Sequence, residues 1–223
     1  MNQDILLIDK PKGWSSFDVI RELRRRLGIR KMGHAGTLDP LATGLLLIGI
    51  GEGTKRLAEL IGLPKTYRMA VLLGKRTATG DSEGEILEAR PIGAVAEEAV
   101  TVVLAGMIGE IELPVPMYSA VKYHGQPLYR YARRGIRVPE KRRTTKIYGL
   151  TLSGIRTEGG APVLDIELTA AKGTYARAVA EEIGRRLGVP ASILELRRTR
   201  IGGYDIRDAK RLDEIAFPPS RRR

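Results

Sequence analysis

The stretch Lys31–Gly44, KMGHAGTLDPLATG, holds one carboxylate, Asp39, one histidine, His34, and three glycines, with no second acid, no serine and no cysteine. A lone carboxylate can act as a nucleophile or take a proton, but it lacks the partner that a glycosidase-type acid pair supplies. Asp before Pro is a common turn former, so Asp39 either shapes a turn or is presented to a substrate. Gly33 and Gly36 permit positive φ and close approach of another chain. Pro40 pushes Asp39 toward an extended backbone. The stretch therefore reads as an irregular loop that leads into the apolar run GLLLIGIG.

A second group of residues points to a polyanion. Lys and Arg number 38 against 26 Asp and Glu, a formal charge of +12. Such a surplus favours nucleic acid through phosphate contacts and counterion release. Nine of these cations and a single acid, Glu140, fall between Met117 and Lys146, together with Tyr118, Tyr123, Tyr129 and Tyr131. Basic side chains interleaved with aromatic rings can hold a backbone and stack on unpaired bases. The same composition also suits a solvated basic face with tyrosines packed beneath it. With no cysteine, disulfides, thiolate catalysis and cysteine-ligated zinc are excluded, and with two histidines a histidine-rich metal site is not expected. No run reaches the roughly 18 apolar residues of a membrane helix. The start MNQDILLIDK lacks the pattern of a secretory signal, and the chain is expected to be cytoplasmic.

The elements that must position these groups follow from period and punctuation. DILLIDK reads as a strand stopped by Pro11 and Gly13. SSFDVIRELRRRLG reads as a helix capped by Ser15 or Ser16, with Phe17, Ile20, Leu23 and Leu27 as its apolar stripe and Gly28 at its end. GLLLIGIG is a buried strand, TKRLAELIG a short helix, KTYRMAVLLG a strand, and TATGDSEGEILEAR a turn into another strand. GAVAEEAVTVVLAGM is helical. The proline-bearing segment after it is irregular and ends in a short helix with Tyr129, Arg130 and Arg133. Two long strands lie around RTTKIYGLTLSGI and APVLDIELTAAKG, then a helix at TYARAVAEEIGRRLG, a strand at ASILELRRTRIG, a last helix at RDAKRLDEIA and a frayed PPSRRR tail. Strands in runs with few helices predict an α+β fold with a mixed or antiparallel sheet, and one domain over residues 1–223.

Six segments occur in order: DKPKGWSSFDVI, KMGHAGTLDPLATGLLLIGIGEGTK, KTYRMAVLLG, PMYSAVKYHGQPLYRYARRG, KGTYARAVAEEIG and LRRTRIG. Together they resemble the TruB family of tRNA pseudouridine-55 synthases, over about residues 4–203. The resemblance implies a pseudouridine synthase catalytic fold, a mixed, largely antiparallel sheet flanked by helices, with an RNA-gripping thumb loop inserted at about 114–146. It implies isomerisation of one uridine in the T loop of tRNA: the N-glycosidic bond breaks, the uracil turns, and C5 bonds to the ribose. Nothing enters or leaves, so no cofactor or metal is implied, and a monomer without an obligate protein partner is expected.

The resemblance also assigns residues. Asp39 matches the catalytic Asp. Arg177 matches the arginine that pairs with it and favours the charged carboxylate in a dry pocket. Tyr67 matches the tyrosine that stacks on the target uracil. Tyr175 and Leu196 would line the pocket, and His34 would fill the space left by the flipped base, whose extrusion costs a few kcal/mol. Lys122, Arg130, Arg133 and Arg134 would hold RNA. Lys10 and Pro11 match a motif that supports the catalytic loop. Most bacterial members continue into a small C-terminal RNA-binding module; with about twenty residues after LRRTRIG, that module is expected to be missing, minimal or removed here. A tRNA-folding chaperone and a guide-RNA-dependent relative are the alternative readings.

Overall fold

The computed structural model describes residues 4–215; the PPSRRR tail lies outside them. In chain order the elements are β1 (Ile5–Lys10), α1 (Ser16–Leu27), β2 (Met32–Ala35), β3 (Thr43–Ile50), a 3-10 turn (Gly51–Arg56), α2 (Leu57–Gly62), β4 (Lys65–Leu73), β5 (Lys75–Thr77), β6 (Ile86–Ala89) and α3 (Glu97–Ala105). Then follow β7 (Gly109–Pro114), β8 (Lys122–Tyr123), β9 (Gln126–Pro127), α4 (Leu128–Arg133), β10 (Arg142–Glu158), β11 (Ala161–Ala170), α5 (Ala176–Arg186) and β12 (Ala191–Ile201). β13 (Tyr204–Asp205), a 3-10 turn (Ile206–Asp208), β14 (Lys210–Arg211) and a 3-10 turn (Leu212–Glu214) close the chain. The class is α+β, as the element pattern predicts, and the sheet is mixed and largely antiparallel, as the resemblance implies. The chain forms two compact units, one of residues up to Tyr67 and from Leu196 onward, the other Arg68–Glu195.

In the first unit β3 is the central strand. It runs antiparallel to β1 (Ile5↔Gly49 to Lys10↔Gly44) and to β2 (Met32↔Ile50 to Ala35↔Leu47), and parallel to β12 at Arg197↔Thr43. Both its faces are covered, which explains the unbroken apolar run. Leu46 and Ile48 pack with Ile8, Val19, Ile20 and Leu23 on one side, and Leu45 and Leu47 with Ile5, Leu60 and Ile201 on the other. α1 starts at a capping box in which Ser15 and Asp18 satisfy each other's backbone N–H, and it ends at Gly28 with φ +69. Its buried stripe is Ser16, Val19, Ile20 and Leu23. Phe17, predicted to share that stripe, is 58% exposed because it lies off this phase, under the Arg24 guanidinium instead.

Two segments depart from the sequence reading. Met32–Ala35 is a strand, not part of an irregular loop. Gly33 allows this, since a Cβ there would stand 2.7 Å from Leu57 Cδ1. The predicted helix at RDAKRLDEIA is replaced by two 3-10 turns around β14, which pairs parallel with β1 at Ile8↔Lys210. Asp205 caps Arg207 N–H at 2.9 Å and begins a turn, and Leu212 and Ile215 are the apolar anchors rather than a helical stripe.

In the second unit β10 pairs antiparallel with β11 on one side and β7 on the other, and the order continues from β11 to β4. Shifts of register at Ile147/Gly149 and Leu152/Gly154 bend the long β10. α3 and α5 pack beside this sheet, burying Val100, Leu104, Val179 and Ile183. β8 and β9 form a two-residue hairpin whose turn residues, His124 and Gly125, have φ +44 and +79.

Candidate active site

The irregular part of the glycine-rich frame shrinks to residues 36–42, between β2 and β3, and Asp39 sits in it. Asp39 is half-buried, while its neighbours Leu38, Leu41 and Ala42 are buried. The frame is fixed by side chains whose donors are spent on backbone carbonyls. Lys10, fully buried at the end of β1, donates its ammonium to the carbonyls of Trp14 (2.6 Å), Pro11 (2.9 Å) and Pro40 (3.4 Å). The Ser16 hydroxyl accepts from Leu38 N–H at 2.9 Å and donates to the Leu38 carbonyl at 3.3 Å. Gly13 N–H reaches the Pro40 carbonyl at 2.8 Å, and Ala42 N–H closes a turn on the Asp39 carbonyl at 3.0 Å.

Arg198 completes the clamp. It is 1% exposed and donates through Nη2 to the Gly36 carbonyl at 3.0 Å and through Nε to the Leu45 carbonyl at 2.8 Å, one on each side of Asp39 in the chain. Gly44, at φ +101, lets the backbone of Arg198 approach; a Cβ there would stand 2.3 Å from the Arg198 carbonyl oxygen. Burying a guanidinium is costly unless its donors are satisfied, so Arg198 is stable here only with those carbonyls in place. Next to it, Arg197 points the other way and forms a forked ion pair with Asp9, at 2.6 and 3.0 Å.

The same unit carries three more of the residues singled out from sequence. His34 lies on β2 opposite Ile48, and its Nδ1 is buried with no hydrogen-bond partner among the described residues. Burial holds its imidazole below the usual histidine range, and the nearby Arg198 cation opposes a second positive charge. Tyr67 is half-buried on β4, and Leu196 is buried on β12, two residues before Arg198 and therefore on the same strand face.

The second unit holds the rest. Arg177 lies in the first turn of α5 and is buried, not a surface arginine. It donates to the carbonyls of Thr79 at 2.7 Å and Tyr118 at 2.9 Å. Gly80, at φ +77, leaves room for its stem. Tyr175 is the residue just before α5 and is half-buried. Lys122, Arg130, Arg133 and Arg134 are exposed on the β8–β9 hairpin and around α4, and among the described residues none of them forms an ion pair. Tyrosines underlie them: Arg133 lies over Tyr129 at 5.5 Å, Lys141 over Tyr123 at 5.3 Å, and Tyr131 meets Tyr123 edge-on at 5.7 Å while donating its hydroxyl to the Tyr123 carbonyl at 3.0 Å. The stretch is thus a solvated basic face with tyrosines packed beneath its exposed cations. Among the described residues no group of acids and histidines could hold a metal ion, and no helix is long and apolar enough to cross a membrane.

Sequence reasoning left Arg198 and Ser16 out of the site. For Arg198 the signal was present, since strand alternation puts it on the face of Leu196.

Comparison with known proteins fits this arrangement. The profile of the TruB family pseudouridylate synthase (N terminal domain) matches residues 24–176. The chain is 41% identical over 220 residues to tRNA pseudouridine synthase B of Thermobifida fusca (strain YX), covering 97% of this chain and 75% of that one. It is 44% identical over 211 residues to the tRNA pseudouridine synthase B of Leifsonia xyli subsp. xyli (strain CTCB07), covering 93% and 70%. A chain in the crystal structure of a Cbf5-Nop10-Gar1 complex superposes with a TM-score of 0.71 at 28% identity, covering 95% of this chain and 53% of that one. The chain thus spans about half the length of that solved relative. The family match and these relatives make the chain a pseudouridine synthase, an isomerase in class. The chain belongs to the TruB family of pseudouridylate synthases.

Proposed function

We propose that this protein is a tRNA pseudouridine-55 synthase that isomerises the T-loop uridine with Asp39 as its catalytic carboxylate. The observation that carries the reading is the Asp39 frame: a half-buried carboxylate on a turn whose backbone is held by Lys10, Ser16 and Arg198. Support for tRNA as substrate comes from relatives named tRNA pseudouridine synthase B at 41% and 44% identity, against 28% for the chain of the Cbf5 complex. We read the protein as an enzyme that acts alone, a monomer in the cytoplasm, rather than as a guide-dependent relative.

The chemistry suits one carboxylate. The bond from N1 to the ribose breaks and one from C5 to the ribose forms. N1 gains a proton and C5 loses one to solvent, so the reaction balances without a leaving group. Asp39 supplies the carboxylate for the cleavage, as nucleophile or as base. Tyr67 stacks on the uracil, Arg177 favours the charged Asp39, Tyr175 and Leu196 line the pocket, and His34 takes the place of the extruded base. Residues about 114–146 act as the thumb loop that grips the T arm, with Lys122, Arg130, Arg133 and Arg134 on its phosphates. We take both units as parts of one catalytic domain.

The test is tritium release from C5-labelled uridine in a T-arm stem-loop, with wild type and Asp39→Asn side by side. Release by wild type, and its loss in Asp39→Asn with stem-loop affinity kept within several-fold, is the expected result. Near-normal release by Asp39→Asn overturns the assignment of the carboxylate. Binding without release by wild type turns the reading into that of an RNA chaperone.

A further inference from the structure

Two arginines stand side by side at the start of β10 and have opposite fates. Arg142 is spent: Nη1 donates to the Glu140 carboxylate at 2.9 Å, Nε to the Glu112 carboxylate at 3.2 Å, and Nη2 to the Glu112 carbonyl at 3.1 Å. Arg143 points to the other face of the strand. Among the described residues it makes no hydrogen bond and no ion pair.

Arg143 is exposed, and it lies against a neighbouring turn. Its guanidinium lies over Gly173, with Nη1, Cζ and Nη2 at 2.8, 3.0 and 3.2 Å from where a Cβ on that residue would stand. The near-equal distances mean that the plane of the group rests flat on the glycine. Gly173 is also at φ +75, a backbone conformation that suits glycine, and its lack of a Cβ leaves the space the guanidinium occupies. The turn is tied to β10 beside that contact: the hydroxyls of Thr145 and Thr174 hydrogen-bond to each other, and Thr174 also donates to the Ala171 carbonyl at 2.9 Å. Arg143, Thr145, Gly173, Thr174 and Tyr175 line one cavity of about 10 Å³, room for about one water.

An exposed planar cation with its donors unspent can receive an anion from outside. The guanidinium fork matches the paired oxygens of a phosphate. Tyr175, the residue assigned to the substrate pocket, follows this turn directly. We propose that Arg143 is a phosphodiester-binding residue, whose ligand is a backbone phosphate of the RNA strand beside the nucleotide in the pocket, and that Gly173 is its platform. The proposal rests on the reading of the chain as an RNA-acting synthase with Tyr175 at the substrate.

The experiment measures two things on the same T-arm stem-loop: affinity by fluorescence anisotropy at several salt concentrations, and tritium release. Arg143→Ala is expected to weaken binding about tenfold at moderate salt and to flatten the log–log salt dependence by about 0.7–0.9, the slope of one phosphate contact. In turnover the loss falls on KM and leaves kcat within about twofold. Arg143→Lys recovers only part of the affinity, because it keeps the charge and loses the fork. Gly173→Ala displaces the guanidinium and reproduces the loss, and the double variant is no weaker than either single one. Arg142→Ala changes affinity less than about twofold.

Wild-type affinity and slope in Arg143→Ala, or full additivity with Gly173→Ala, overturns the proposal. If wild type binds the stem-loop but releases no tritium, the proposed reaction fails, while the affinities still decide the fate of Arg143. If wild type does not bind, both readings fall.

Discussion

The Asp39 frame and the tyrosine-bedded segment from Met117 to Lys146 are built from the same cationic residue types and use them in opposite ways. In the frame, Lys10 and Arg198 are buried and donate to backbone carbonyls. In the segment, Lys122, Arg130, Arg133 and Arg134 stay in water with no carboxylate on them among the described residues, while the one acid, Glu140, is taken by Arg142. A buried cation is useful for what it does to the chain, since any slackening of its partners leaves a charge undersolvated. An exposed cation costs the fold little and keeps its charge for a ligand. Fold stability and RNA affinity should therefore separate cleanly between the two regions.

The largest effect that would sharpen this contrast is on Gly44. With φ +101 and a Cβ position 2.3 Å from the Arg198 carbonyl oxygen, Gly44→Ala is expected to destabilise by at least about 3 kcal/mol, read as a lower denaturation midpoint. Arg198→Met comes next. It leaves the Gly36 and Leu45 carbonyls without their donor, at about 1–3 kcal/mol each, and should lower kcat at saturating RNA through a loosened Asp39 turn. Unchanged stability in this variant would break the comparison. The combined change of Lys122, Arg130, Arg133 and Arg134 to Ala should leave stability within about 0.5 kcal/mol per site while flattening the salt dependence of tRNA binding. A loss of stability as large as that of Arg198→Met would show that these cations are structural after all.

The smallest effect is on pH. His34 is held below its ordinary value of 6.5 by burial, so the unfolded chain binds its proton first as the pH falls. Stability from this residue is then present above 6.5 and lost as the pH drops below it. His34→Gln should flatten the dependence of the denaturation midpoint between pH 7 and pH 5. An unaltered slope would mean that the acid loss comes from elsewhere.

Much of this was legible in the sequence because the signals were local. Ser15 and Gly28 mark both ends of α1, and the unbroken GLLLIGI run announces a strand covered on both faces. Asp39 stood out through its own neighbours, two glycines and a proline. The clamp around it did not, because the partners of Arg198, Gly36 and Leu45, lie far away in the chain and are backbone atoms, which any residue could supply. Phe17 misled because a three-residue step to Ile20 suits two helix phases, and only packing against β3 selects one. The predicted last helix failed for a related reason: the backbone of Lys210 and Arg211 found the edge of β1, a partner some two hundred residues back.

The burial of Lys10 has a consequence for chemical labelling. Its ammonium is fully enclosed and bonded to three carbonyls, so amine-reactive reagents cannot reach it while the turn of Asp39 is closed. Surface lysines such as Lys55 and Lys122 will react at once. The slow acylation of Lys10 is then a clock, and its rate counts how often the loop that carries the carboxylate comes open.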